Sequence, residues 1–138
     1  MDPLSLTASI LAVITAAQAG VHGLRKLNTF RKAPQELEDL ALELESIKSL
    51  LQDVEHFLEL NLLLLQSGGL CQSVRGAASK ITIINKLLES EPFARLKISN
   101  AAQGRLIFFR YKDRLHSLRD DLRVVRQDLA VRLGLVAA

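Results

Sequence analysis

The chain has 138 residues, of which 49% are apolar and 4% aromatic, with a formal charge of +3 and one cysteine. That is material for one core and one domain. The single cysteine excludes an internal disulfide, no paired metal-ligand spacing occurs, and the composition fits a reducing, intracellular compartment. Seven glycines and three prolines leave long segments rich in Leu, Ala, Glu, Lys and Arg, so an all-α fold is expected.

Charge is partitioned along the chain. Residues 1–32 carry +3, residues 33–62 carry −7, residues 63–104 carry +3 and residues 105–138 carry +4. One acidic segment among basic ones predicts pairing across helix faces. The basic balance also suits an anionic partner such as lipid headgroups or nucleic acid, between which composition does not choose.

The first helix is expected from Pro3 to about Leu27, with Asp2 as its N-cap and proline at its first position. From Pro3 to Leu24 it contains no Asp, Glu, Lys or Arg over 22 residues. Projected at about 100° per residue, Leu6, Ile10, Val13, Ile14, Ala17, Val21 and Leu24 form a bulky apolar arc. A second arc is small: Ser5, Ala8, Ser9, Ala12, Ala16, Ala19, Gly20 and Gly23. Within it Ala8, Ala12, Ala16 and Gly20 make a ridge of small residues every fourth position, a device that lets helix backbones approach closely in membranes and in soluble bundles alike. At 1.5 Å per residue the run reaches roughly 33 Å, against a hydrocarbon core of about 30 Å. Asp2 and the absence of a basic n-region speak against a secretory signal, and two glycines with few Leu, Ile or Phe speak against a constitutive anchor. The composition fits a membrane segment that inserts conditionally.

The second helix is expected from near Pro34 to about Leu65, with Glu36, Glu38 and Asp39 at its positive N-terminal end. Leu37, Leu40, Leu44, Ile47, Leu51, Val54 and Leu58 give it a heptad seam. Ser67, Gly68 and Gly69 read as the break that follows. The third helix, Leu70 to Glu89, has the seam Leu70, Val74, Ala77, Ile81, Ile84 and Leu88, and Pro92 limits it. The fourth begins between Asn100 and Arg105, has the seam Phe108, Tyr111, Leu115, Leu118, Leu122, Val125 and Leu129, and is expected to stop at Gly134. Three single-stripe helices need a shared partner, which makes the apolar first helix the expected centre of a four-helix-type bundle.

No constellation supports catalysis, so the chain does not read as an enzyme, and no cofactor or metal is expected. His22, His56 and His116 fall in three different helices and read as surface or boundary residues, and Cys71 reads as a packing residue. Lys112, Arg119, Arg123 and Arg126 form a candidate phosphate-contacting stripe on the fourth helix. Interleaved Asp113, Asp120, Asp121 and Asp128 and scarce aromatics argue against nucleic acid. The acidic residues Glu43 and Glu45 are expected on an exposed face.

The opening Met1-Asp2-Pro3-Leu4-Ser5, the small-residue helix, "PQELEDLALELESIKSLL" and "FRYKDRLHSLRDDLRVVRQDLAVRL" together resemble the HeLo-like N-terminal domain of fungal STAND proteins, the NOD-like receptors and their relatives. The resemblance covers nearly the whole chain. It implies one bundle domain over residues 1–138, related to the membrane-disrupting four-helix domain of the mixed-lineage kinase-like necroptosis executioner, and forming the N-terminal part of a longer protein. It further implies a cell-death effector, cytoplasmic at rest, whose first helix is released toward a membrane when an attached STAND or amyloid-signalling region drives self-association. On that reading Leu6, Ile10, Val13, Ile14, Val21 and Leu24 belong to the membrane-active helix. Ala8, Ala12, Ala16 and Gly20 mediate helix association, and Arg25, Lys26, Arg31 and Lys32 meet anionic lipid. The alternative is a soluble signalling or oligomerisation module in which the first helix never leaves. Many relatives carry a tryptophan before the last helix; here Phe108 and Phe109 are expected to take its packing role.

Overall fold

A computed structural model describes the backbone of residues 3–30, 35–60, 68–90, 93 and 101–137, and the side chains of residues 8–27, 35–57, 69–90, 93 and 103–134. The described chain is four helices: α1 (Pro3–Phe30), α2 (Gln35–Leu60), α3 (Gly68–Glu89) and α4 (Ala101–Ala137). The all-α bundle expectation is met, with two changes at glycines. Gly68 and Gly69 lie in the first turn of α3 instead of a preceding break, and α4 runs through Gly134 to Ala137. Nothing lies near Gly134, so no packing demands a stop there. At Gly69 the Arg132 guanidinium lies against the bare backbone, where a side chain would make it swing aside.

The heptad seams are the core. Leu37, Leu40, Leu44, Ile47, Leu51 and Val54 of α2 are sealed from solvent, as are Leu70, Val74, Ala77, Ile81 and Ile84 of α3. In α4, Phe108, Leu115, Leu118, Leu122 and Leu129 are buried, with Tyr111 and Val125 packed beside them. Leu58 lies outside the described side chains. From α1, Ile10, Val13, Ile14, Ala17, Val21, Leu24 and Leu27 complete the same cluster.

Neighbours in the bundle are not all neighbours in the chain. α1 packs on α2 and α3, α4 packs on the same two, and α2 and α3 barely touch. Around the bundle the order is therefore α1, α2, α4, α3. Contacts fix the directions. Gly20 faces Asn85 and Gly23 faces Leu88, so α1 and α3 run parallel. Ser73 meets Asp128 and Lys80 meets Asp121, so α3 and α4 are antiparallel. Glu36 meets His116 while Glu43 meets Arg123 and Arg126, so α2 and α4 are parallel. The helix expected to cover all three stripes thus covers two: α1 fills the α2–α3 groove from one side, and α4 closes it from the other.

The charge partition becomes a ladder along α2 and α4. Glu36 pairs with His116 at 3.2 Å and lies 4.0 Å from Lys112; Asp39 pairs with Arg119 at 3.6 Å; Glu43 takes Arg123 at 3.3 Å and Arg126 at 2.7 Å. The basic stripe read as a phosphate contact is engaged by α2. His116 sits at this boundary, whereas His22 and His56 are exposed. The expected exposure of Glu43 is corrected: its side chain is 13% exposed because two arginines fold over it, while Glu45 keeps 40%. Cys71 packs against the core as expected.

Two of the polar contacts are testable by mutation. Glu43→Lys, which leaves two arginines facing a third cation in a largely dry position, is expected to cost about 2–4 kcal/mol in chemical denaturation, whereas Glu45→Lys is expected to cost less than about 1 kcal/mol. Asp128 accepts a 2.5 Å hydrogen bond from Ser73, which with Arg132 holds its carboxyl below the ordinary 3.8. A lowered folded-state pKa stabilises above the unfolded value and loses that contribution as pH falls through the folded one. The stability gap between the parent and Asp128→Asn is therefore expected at neutral pH and to shrink progressively below pH 3.8.

Candidate functional site

The candidate site is α1, because its sequence departs furthest from what a bundle helix needs. The core requires one apolar arc, and that arc is present and buried: Ile10 and Leu24 are at 0% and 1% exposure, and Val13, Ile14 and Val21 at 7%, 9% and 8%. The solvent side is not required to be uncharged, yet it is. Ala8, Leu11, Ala12, Thr15, Gln18, Ala19 and His22 are the exposed positions up to Leu24, at helical spacing on one face. Leu11 alone leaves 46% of its surface in water. α2 also exposes Leu42, Ser46, Ser49 and Gln52, but it carries acids along both flanks; α4 exposes arginines along its length and aspartates from Asp113 onward.

The small arc is divided by the fold. Ala8 and Ala12 face solvent, Ala16 is half-buried, and Gly20 is buried. At Gly20 a Cβ would stand 3.0 Å from both Asn85 Oδ1 and Leu44 Cδ1, so α2 and α3 both close onto this one position. The Asn85 amide donates a 3.1 Å hydrogen bond to the Ala16 carbonyl, tying α3 to α1 between the two small residues. The ridge therefore serves helix association within the closed bundle along its Ala16–Gly20 half. Bulk at Gly20 therefore cannot enter without disturbing the closed bundle. Further along, Ala19 and Gly23 leave a groove of about 400 Å³ against Leu88 and Phe93.

The basic residues at the end of α1 are placed in part. Arg25 forms a 2.6 Å ion pair with Glu45 and Lys26 is exposed. Arg31, Lys32 and the side chain of Leu6 lie outside the described residues. The aromatic expectation divides too: Phe108 is buried, but Phe109 is 79% exposed. The second packing aromatic is Phe93, 1% exposed and edge-on to Tyr111 with ring centroids 5.2 Å apart. Phe93 follows Pro92 in a segment with no periodicity, which is why no pattern singled it out.

Among the described residues, no helix is long and apolar enough to cross a membrane. The reach of roughly 33 Å expected from length alone is undercut by Gln18 and His22, which dilute the run toward its end. No group of three His, Cys, Asp or Glu among them lies together as a metal site would require.

Residues 1–85 match the family described as pigment biosynthesis cluster protein PigL N-terminal. The match runs through α1, α2 and most of α3, more than half of the chain, and the protein belongs to this fungal family of small helical domains. No curated protein and no solved structure matches significantly.

The divided arc gives a direct contrast. Gly20→Leu is expected to destabilise the bundle by about 1–3 kcal/mol through overpacking. Ala12→Leu, on the exposed half of the same ridge, is expected to stay within about 0.5 kcal/mol of the parent in the same denaturation measurement.

Proposed function

We propose that this domain is a membrane-targeting effector of the HeLo-like kind, in which self-association brings several copies of α1 together and lets them leave their bundles for a membrane. The observation that carries the reading is the solvent face of α1, uncharged from Ala8 to His22 although water surrounds it in the closed bundle. A helix that lived only in the bundle would gain solubility from Glu or Lys there. A helix that also serves in a low-polarity setting pays for each such charge.

Energetics explain why several copies are needed. Withdrawing Ile10, Val13, Ile14, Val21, Leu24 and Leu27 from the core costs on the order of 10 kcal/mol at about 1.5–3 kcal/mol per side chain, comparable with the whole stability of an ordinary domain. A bilayer returns that burial for the bulky arc. The remaining face, with Ala8, Ala12, Thr15 and Gln18, is then covered by neighbouring α1 helices, where small residues allow close approach and the two polar side chains find partners. A single α1 is too polar for this, in keeping with a conditional segment. Arg25 and Lys26, with Arg31 and Lys32 after them in sequence, would meet anionic headgroups, each worth about 1 kcal/mol near such a surface. On this reading the domain is cytoplasmic until an attached STAND or amyloid-signalling region triggers assembly.

Leakage of anionic vesicles by the artificially oligomerised domain tests this. The double variant Thr15→Asp, Gln18→Glu alters only exposed positions and keeps similar helix propensities, so its thermal unfolding is expected to match the parent within about 0.5 kcal/mol. The parent is expected to leak vesicles and the variant to lose that activity. A parent that never leaks vesicles, or a variant that leaks them equally well, would favour a soluble association module in which α1 stays in place.

A further inference from the structure

We infer that the tip of α4 is a docking surface through which the closed bundle rests on an anionic lipid bilayer. This does not require α1 to leave the bundle and so stands apart from the release step above.

α4 is longer than the helices it packs on. Glu36, in the first turn of α2, reaches His116 and lies near Lys112, and Tyr111 meets Phe93 beyond the end of α3 at Glu89. Residues 103–110 of α4 therefore extend past the paired parts of α2 and α3, with one side covered at Gly104 and Phe108 and the other open. On this projection Leu106 is 60% and Phe109 79% exposed, and Phe109 is the most exposed large apolar residue of the described chain. Neither is needed by the core, which takes Phe108 instead.

The charge around this pair identifies what it meets. At about 100° per residue the order around the helix is Arg105, Phe109, Leu106, Arg110, so an arginine brackets the apolar pair on each side. Both arginines are exposed, and among the described residues neither pairs with a carboxylate. From Ala101 to Lys112 there are three basic residues and no acid; the first carboxylate, Asp113, comes one turn after Phe109 toward the body of the bundle. Apolar side chains at the tip, arginines beside them and an acid only behind them match the order of acyl chain, headgroup phosphate and water in an anionic leaflet. Two side chains are also far too little for a stable protein interface, which needs about 800 Å² per partner, whereas they suffice to anchor a domain that electrostatics has already brought to a surface. Since α1 and α4 run in opposite directions, the C-terminal end of α1 with exposed Lys26 reaches the same end of the bundle.

The chain has no tryptophan, so Phe109→Trp creates a single reporter. Its emission is expected to shift to the blue and become quenchable by nitroxide-labelled lipid when phosphatidylcholine vesicles containing phosphatidylserine are added, and to stay unchanged with phosphatidylcholine alone. Leu106→Ser with Phe109→Ser is expected to leave thermal unfolding intact and to weaken cosedimentation with the anionic vesicles about tenfold or more. The Thr15→Asp, Gln18→Glu protein is expected to bind as the parent does, which separates docking from release. Three results would each overturn the proposal: indole emission of the Phe109→Trp protein that ignores anionic vesicles, undiminished binding of the double serine variant, or a blue shift that depends only on protein concentration without lipid. The last would show that the tip meets another copy of the chain.

Discussion

The bundle depends on the seven apolar side chains that α1 lays between α2 and α3. Those two helices hardly meet each other, so the groove between them exists only because α1 fills it from one side and α4 from the other. α4 is tied in by polar contacts along both flanks, to α2 through Glu36, Asp39 and Glu43 and to α3 through Ser73 and Lys80. The described α1 has fewer such ties, chiefly Asn85 to the Ala16 carbonyl and Arg25 to Glu45. Its described contacts are dominated by the hydrophobic effect, which is non-directional and is satisfied equally well by another apolar environment. Apolar contact of this kind supports the proposal that α1 is the element that changes surroundings.

The ion ladder explains the uneven charge of the chain and the unusual parallel pairing of α2 with α4. The acids of α2 recur at the spacing of three and four residues that keeps them on one face, and so do Lys112, His116, Arg119, Arg123 and Arg126. Aligned in the same direction, the two series meet rung by rung. An antiparallel pairing would set the Glu36 end of α2 against the Arg126 end of α4, a different match of partners. The inner member, Glu43, is largely dehydrated and is served by two guanidinium groups, so the ladder specifies register as well as partner.

Much of this was readable from the residues. Heptad spacing located the seams of α2, α3 and α4, because in a bundle with one buried stripe per helix the period of the pattern is the geometry of the contact. The bulky arc of α1 was legible for the same reason. Pattern alone left open which helices would be neighbours, since a stripe does not name its partner; that required the diagonal placement of α2 and α3. The two sides of the small ridge looked alike in sequence and differ only because Asn85 and Leu44 close on Gly20 while Ala12 faces water. Glu43 and Glu45 are likewise equivalent as letters, and it is the overlying pair Arg123 and Arg126 that separates them. Phe93 takes the packing place expected of Phe109; it was not legible because it sits in a segment without periodicity, and Phe109 is exposed because its helix outruns its neighbours.

The central claim is that the water-facing side of α1 has a second, apolar environment. It is tested most directly by a nitroxide spin label at Ala12→Cys in a Cys71→Ala background, on the domain held in forced oligomers with anionic vesicles. Ala12 is exposed in the closed bundle, so the label starts fully accessible to a water-soluble relaxation agent. This accessibility is expected to be lost once oligomers and anionic membrane are both present, with neither alone sufficing. A label that remains accessible under all conditions would show that α1 keeps its face in water and never enters an apolar environment.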